Sequence, residues 1–430
     1  MVAVSATEPR HPLPAAATAA PWIADLLADL PAAPSAAVAR ARELLAQQPL
    51  PSRRQEDWRF TDLAPLTTIA PRPLDPAEQA SSAPAAPLGP VAEPGRLRLL
   101  LDGLRDPLDG LTLPPGLHRL EGEALQAALG RSLAAQGLEA DWPVLLNTAL
   151  APRVLALRVS AAVAPLLELV NDVGTGQGVE ALRLLLLLED GASLEVLQVQ
   201  RAAAASATSL LLEAELGRGA RLRHGLLAQG HGAASLLAQL VVSQSPGSEL
   251  DLVSALSGWG LVRLEPRVLQ DEGQAATRLR GLQRVDGRQI ADTHSQVAFA
   301  GPEGRLDQLH KVVADGAGRS VFNGAVRVPR AAQRTDAAQL SRSLLLSDRA
   351  RIDTKPELEI VADDVKCAHG ATVSRLQDDE LFYLQSRGIA AAQAARLLLR
   401  GYCDEVLAEL PGGAAGWQPL ERLMGEDPTP

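Results

Sequence analysis

The turn Glu189-Asp190-Gly191-Ala192-Ser193 and the run after it, Leu194-Glu195-Val196-Leu197-Gln198-Val199, hold the unit on which the fold is read. Apolar residues interleaved with polar ones directly after a Gly-bearing turn signal a half-buried β-strand. The unit recurs. Gly217-Arg218-Gly219-Ala220-Arg221-Leu222, Ser245-Pro246-Gly247-Ser248-Glu249-Leu250 and Asp271-Glu272-Gly273-Gln274 repeat the turn. From Gly191 the spacings are 28, 28 and 26 residues, and a comparable turn at Gly304 follows 31 further on. Hairpins of a β-sandwich would place turns every ~8–12 residues. A period of roughly 28 suits two short strands and two turns, which is one coil of a parallel β-helix.

Outward from this zone the character changes. Residues 1–148 carry helical patterns at Trp22–Leu30, Ala36–Gln47 and Glu121–Gln136, so an N-terminal helical domain is expected there. Within it, residues 71–95 contain seven prolines and little periodicity and read as an irregular loop. The β-helix core is assigned to residues 149–373. Residues 374–430 form a C-terminal helical domain, with amphipathic segments Asp378–Gln385 and Ile389–Leu410. Gly388 supplies the turn after the first segment, and Pro411-Gly412-Gly413 stops the second. Such a hairpin is expected to cap the last coil, which would otherwise expose an unpaired strand edge.

Composition narrows the function. A hydrophobic fraction of 47% supports a large core, and a net charge of −10 argues against a nucleic-acid-binding surface. Basic residues are almost all arginine, the lysines being Lys311, Lys355 and Lys366. The only cysteines are Cys367 and Cys403, too few for a disulfide framework, which fits a cytoplasmic protein. The apolar run Leu184–Leu188 is far too short to span a membrane, and no leader pattern stands out at residues 1–40.

Much chemistry is missing. Gly-Lys never occurs, so there is no phosphate-binding GxxxxGK[ST] loop, and HExxH and GxSxG are absent as well. Gly174-Thr175-Gly176-Gln177-Gly178 departs from GxGxxG and reads as a turn. His224, His231, His294 and His310 are expected on strand surfaces or in turns. Cys403, four residues after Leu399 on an apolar helix face, reads as an inert core thiol. A β-helix enzyme acting on polysaccharide is the alternative reading, and it would need a convergent carboxylate cluster.

The informative stretch is Asp363-Asp364-Val365-Lys366-Cys367-Ala368-His369-Gly370. On a strand, Val365, Cys367 and His369 share one face, while Lys366 and Ala368 point the other way. Thiol and imidazole suit iron, zinc or copper(I), and the adjacent Lys366 is expected to favour the thiolate. Two ligands cannot close a tetrahedral site, so any metal held here needs ligands from another chain. The Cys/His face therefore either points into the coil as a structural pair or outward onto a partner.

These residues, with Leu381-Phe382-Tyr383-Leu384-Gln385-Ser386-Arg387-Gly388-Ile389, resemble the C-terminal signature of the SufB/SufD family of iron–sulfur cluster assembly proteins. Glu56-Asp57-Trp58-Arg59-Phe60-Thr61 and Lys355-Pro356-Glu357-Leu358-Glu359-Ile360 are similar to further family elements. Lys-Cys-x-His-Gly is the SufD-like form, since SufB-like chains tend to carry Glu where Gly370 stands. The resemblance implies a mainly β protein, a right-handed parallel β-helix between helical domains. It also implies a non-enzymatic scaffold that pairs with SufB and docks the ATPase SufC, or self-pairs when alone. A nascent, transient iron–sulfur cluster would form near the SufB–SufD interface, with His369 as a ligand and Cys367 beside it, and none in the isolated chain. Phe382, Tyr383, Arg387 and Gly388 would carry ATPase docking, unless the two aromatics are buried against the last coils.

Overall fold

The computed structural model describes residues 21–75, 91–93, 95–101, 106–174 and 176–425. Residues 1–20 and most of the proline-rich stretch lie outside them. The centre is a parallel β-solenoid whose chain alternates between two sheets. Sheet B, of ten strands, runs from Val91–Glu93 to Lys366–Ser374. Sheet A, of nine, runs from Leu117–Arg119 to Arg351–Ile360. Apart from the antiparallel strands Val91–Glu93 and Leu117–Arg119 at the first end, each strand pairs in parallel with the equivalent strand of the next coil, so side chains stack in columns down the lumen. One column runs Leu194, Leu222, Leu250, Thr277, Leu306, Ala337 and Cys367. The repeat is set by these columns, since one slipped residue would turn every interior side chain outward.

The strands are more buried than a half-buried pattern implies. In Ser193–Ala202, Leu194 and Val196 point into the luminal core. Leu197 and Val199, on the opposite face, pack against C-terminal helical residues. Both faces are covered, which is why the run is not strictly alternating. The histidines follow suit. His224 and His310 are buried in the lumen rather than on strand surfaces, His294 is buried on the outer face of sheet A, and only His231 is exposed in a turn.

Helices α1 (Pro21–Ala28), α2 (Ala36–Gln47) and α3 (Trp142–Leu150) cover part of the outer face of sheet A. Ile23, Leu26, Leu45 and Trp58 pack there with Val179, Ala207, Leu237 and Leu261. Trp58 meets Trp142 edge-on at 6.4 Å and lies 3.9 Å over the Arg263 guanidinium. Arg263 donates to Asp292 and Glu265 at 2.5 Å each, and Thr61 donates to the same Asp292 carboxylate. Burial alone would raise the Glu265 carboxyl, but the Arg263 and Arg267 charges hold it well below the ordinary range. Residues 1–148 are not wholly helical, because Arg96–Leu100 and Leu117–Arg119 join the sheets. The helical pattern at 121–136 divides at Gly130, whose φ of 84° no regular helix accepts.

The C-terminal hairpin, α4 (Asp378–Ser386) and α5 (Ala391–Leu407), does not cap the last coil as expected. Helix α5 lies instead on the outer face of sheet B, burying Leu399, Cys403 and Val406 against Leu227, Val253 and Leu282. The strands leave an apolar outer row there, and α5 takes that row out of water. Gly225 permits the contact, since a Cβ there would sit 2.3 Å from Pro411 Cδ. The buried Lys311 secures α5, donating to Tyr402 O at 2.7 Å and pairing with Glu405. Burial pushes the Cys403 thiol up to about 11, as befits an inert core group.

Candidate functional site at the open end

Because α5 lies along the side, no cover lies over the last coil among the described residues. Cys367 ends its luminal column, and the column Val196, His224, Leu252, Leu279, Gln308 and Gln339 ends at His369. The Cys/His face is therefore an interior face that emerges at the open end of the lumen. Val365 and Cys367 are half-buried against the luminal core, while His369, Lys366 and Ala368 are exposed. Burial pushes the Cys367 thiol above its ordinary value, with Asp336 adding to the rise and only the Ala337 backbone bond opposing it. The expected thiolate-favouring effect of Lys366 is thus overturned, because the ammonium stands on the other face of the strand. Among the described residues no group of three or more His, Cys, Asp or Glu side chains is arranged to hold a metal ion.

The turn entering this strand is tightly held. Arg334 N donates to Asp364 O at 2.6 Å, Asp364 N to Gln333 Oε1 at 2.9 Å, and Lys366 N to Thr335 O at 2.9 Å. Where earlier coils place Gly219 and Gly247 in left-handed geometry, the last coils use Gln274, Glu303 and Arg334 at φ 54°, 61° and 58°. Each such conformation costs a side-chain-bearing residue ~1 kcal/mol. In return Arg334 donates to Glu303 at 2.6 Å, and Glu303 accepts from Gln274 at 3.3 Å. Sequence spacing located this turn at Gly304 but could not single out its neighbour Glu303.

The surroundings are apolar. Ile360, Val361 and Val373 at the terminal strands are 39%, 57% and 49% exposed, and Phe382, Tyr383 and Leu397 on the hairpin are 72%, 58% and 46% exposed. These six are the exposed large hydrophobic residues among the described ones, and they all fall between positions 360 and 397. Phe382 and Tyr383 are therefore not buried against the last coils. Arg387 stacks 5.3 Å from the Tyr383 ring, and Gly388 turns the chain out of α4 at φ 83°. Sequence reasoning passed over Ile360, Val361 and Val373, because an apolar strand residue reads as core until its neighbouring coil is known to be missing.

Fold and site define a parallel β-solenoid whose terminal coil is left bare between apolar rims. The profile of the SUF system FeS cluster assembly SufBD core domain matches residues 172–402, more than half of the chain. The chain belongs to the SufB/SufD family of iron–sulfur cluster assembly proteins. It is 38% identical over 239 residues to an iron–sulfur cluster assembly SufBD family protein of Synechocystis, covering 53% of each chain. It is 40% identical over 205 residues to the chloroplastic protein ABCI7 of Arabidopsis thaliana, covering 47% of this chain and 43% of that one. To the iron–sulfur cluster assembly protein SufD of Escherichia coli it is 27% identical over 387 residues, 87% of this chain and 88% of that one. The matches thus span about half the length of the cyanobacterial and plant relatives. Among the described residues no helix is long and apolar enough to cross a membrane.

Proposed function

We propose that this chain is a non-enzymatic, SufD-type scaffold subunit working in the cytoplasm. Its open coil pairs with a SufB-type subunit, and its C-terminal hairpin docks a SufC-type ATPase. In this reading residues 1–148 brace the solenoid, 149–373 carry the interface and 374–430 recruit the ATPase. The carrying observation is that, among the described residues, the exposed large hydrophobic ones are confined to the last coil and the hairpin. Apolar edges with unpaired backbone groups are normally blunted by charge or cover. The edge strand Arg351–Ile360 is blunted in this way by its charges and Pro356. Lys366–Ser374 carries no acidic or basic side chain beyond Lys366 and His369 and is left bare, which suits strand addition by a partner. The partner's atoms would supply the ligands that Cys367 and His369 lack.

The nascent iron–sulfur cluster is cargo in this scheme. His369, solvent-facing at the end of the lumen, offers an imidazole nitrogen. Cys367, half-buried and held as a thiol, stands by as a sulfur acceptor or second ligand once a partner cation lowers its proton affinity. The test is co-expression with SufB- and SufC-type partners. His369→Ala should leave the ternary complex intact on gel filtration while its iron and acid-labile sulfide fall at least tenfold. Phe382→Asp should lose the ATPase but keep the SufB-type partner. A His369→Ala complex that builds clusters normally, or a Phe382→Asp chain that keeps the ATPase, overturns the corresponding assignment. Capture of the partners by a chain carrying charges at both Val361 and Val373 would overturn the edge pairing.

A further inference from the structure

On the outer face of sheet B, far along the coils from the open end, one rung places Asp172, Arg201, Gln229, Ser257 and Arg284 in register on successive strands. The segment Trp417–Gly425 folds over this rung and adds Arg422, leaving a cavity of about 480 Å³ between them. Gln229 is only 9% exposed, and neither its amide nitrogen nor its amide oxygen has a hydrogen-bond partner. Arg284 Nη1 is likewise buried and unpartnered. Unsatisfied amide and guanidinium groups in one concavity are costly unless something fills it. Charge points the same way, with Arg201, Arg284 and Arg422 lining the cavity against Asp172 and Asp286, one positive charge in excess. Asp172 Oδ2 is also buried without a hydrogen bond and faces Arg201 Nη1 as an ion pair at 3.1 Å, so that carboxylate is neutralised by one of the three guanidinium groups. Asp286 Oδ1 accepts from the Gly287 amide in its own turn.

We propose that this cavity is a binding site for a phosphate-class oxyanion, held by Arg201, Arg284 and Arg422 with the Gln229 amide as a neutral donor. Adjacent rungs lie ~4.8 Å apart, so Arg201 and Arg284 are ~14 Å apart at the backbone, and extended arginine side chains from both can meet over Gln229. Guanidinium forks match phosphate oxygens in pairs, which a single carboxylate cannot use from three sides. Trp417 orders two of the three. Arg201 lies 5.8 Å from its ring, and Arg422 Nε donates to its carbonyl at 3.3 Å. Burial, and then repulsion from Arg201, push the Arg422 guanidinium below its ordinary value, a tension that an anion between them relieves. The site is remote from Cys367 and His369 and independent of their role. Its position beneath Trp417–Gly425 makes the seating of the C-terminal segment responsive to the anion.

Isothermal titration of the full chain at constant low chloride tests this, with inorganic phosphate as one probe and AMP as the other. Saturable one-site binding of phosphate is expected, weakened at least tenfold in Arg284→Gln and Arg422→Gln with melting temperatures unchanged. Should an arginine variant misfold, Gln229→Leu removes the neutral donor without disturbing the charges and should weaken binding by a smaller factor. AMP binding more tightly than phosphate would assign the site to a phosphoryl group carried on a larger molecule. Equal or weaker AMP binding would assign it to the free ion. Absence of saturable binding of both probes up to ~10 mM, or unchanged affinity in Arg284→Gln, overturns the proposal.

Discussion

The two ends of the solenoid are built from the same coils and finished in opposite ways. At the first end, Val91–Glu93 adds antiparallel to Arg96–Leu100, and Leu117–Arg119 adds antiparallel to Val154–Val159. Leu97, Leu99, Leu117 and Leu157 behind them are buried to 4% exposure or less. At the last end, Arg351–Ile360 and Lys366–Ser374 each pair on one side only, and none of their large apolar residues is fully buried. A reversed strand breaks the parallel stacking and terminates the array, whereas a parallel strand left bare invites another. The first end is closed by reversed strands, and the last is left open, as the proposed pairing requires.

The largest effects come from disturbing both ends in parallel. Leu99→Ala, at 0% exposure in the closed end, should cost ~2–5 kcal/mol of unfolding free energy in urea titration. It should leave capture of a SufB-type partner unchanged once folded. Val373→Asp, at 49% exposure, should change the stability of the isolated chain by no more than ~0.5 kcal/mol. It should weaken partner capture by ~2 kcal/mol or more. Equal stability losses at the two positions would erase the distinction.

The lumen between the ends yields a smaller effect, read through pH. Burial pushes the His224 and His310 imidazoles down to about 4 and about 3. The unfolded chain, with imidazoles near ~6.5, therefore binds protons that the native chain refuses. Stability is complete above pH ~6.5 and falls as pH drops, by up to ~1.4 kcal/mol per unit for each histidine. Urea midpoints at pH 7 and pH 5 should differ accordingly, and His224→Gln should reduce that difference by one proton's share. The smallest effect lies beside the open end. Gly388→Ala meets no steric obstacle, but at φ 83° it should cost ~1 kcal/mol. Thermal unfolding monitored at α4, with an unmoved solenoid transition, would check it.

Periodicity made the solenoid legible, because a 28-residue repeat of turn and strand has few other packings. Chemistry singled out Cys367 and His369 in the sequence, and the register places both on one luminal face at the open end. Two other expectations failed for a shared reason. The hairpin was expected over the end, and His224 and His310 on strand surfaces or in turns, because local sequence shows which residues are apolar but not which surface they meet.

Strand, turn and repeat were therefore determined by the sequence alone, since they depend on contacts within one coil and its immediate copy. Whether the Cys/His face looks inward or outward had no local answer. Register carries that face down the lumen, and the side placement of α5 leaves the final coil bare. The same holds for Arg201, Gln229, Arg284 and Arg422, which lie scattered over more than two hundred residues and meet only because parallel stacking and the returning C-terminal segment bring them together. Long-range juxtaposition is a property of the packed columns, and no window of sequence contains it.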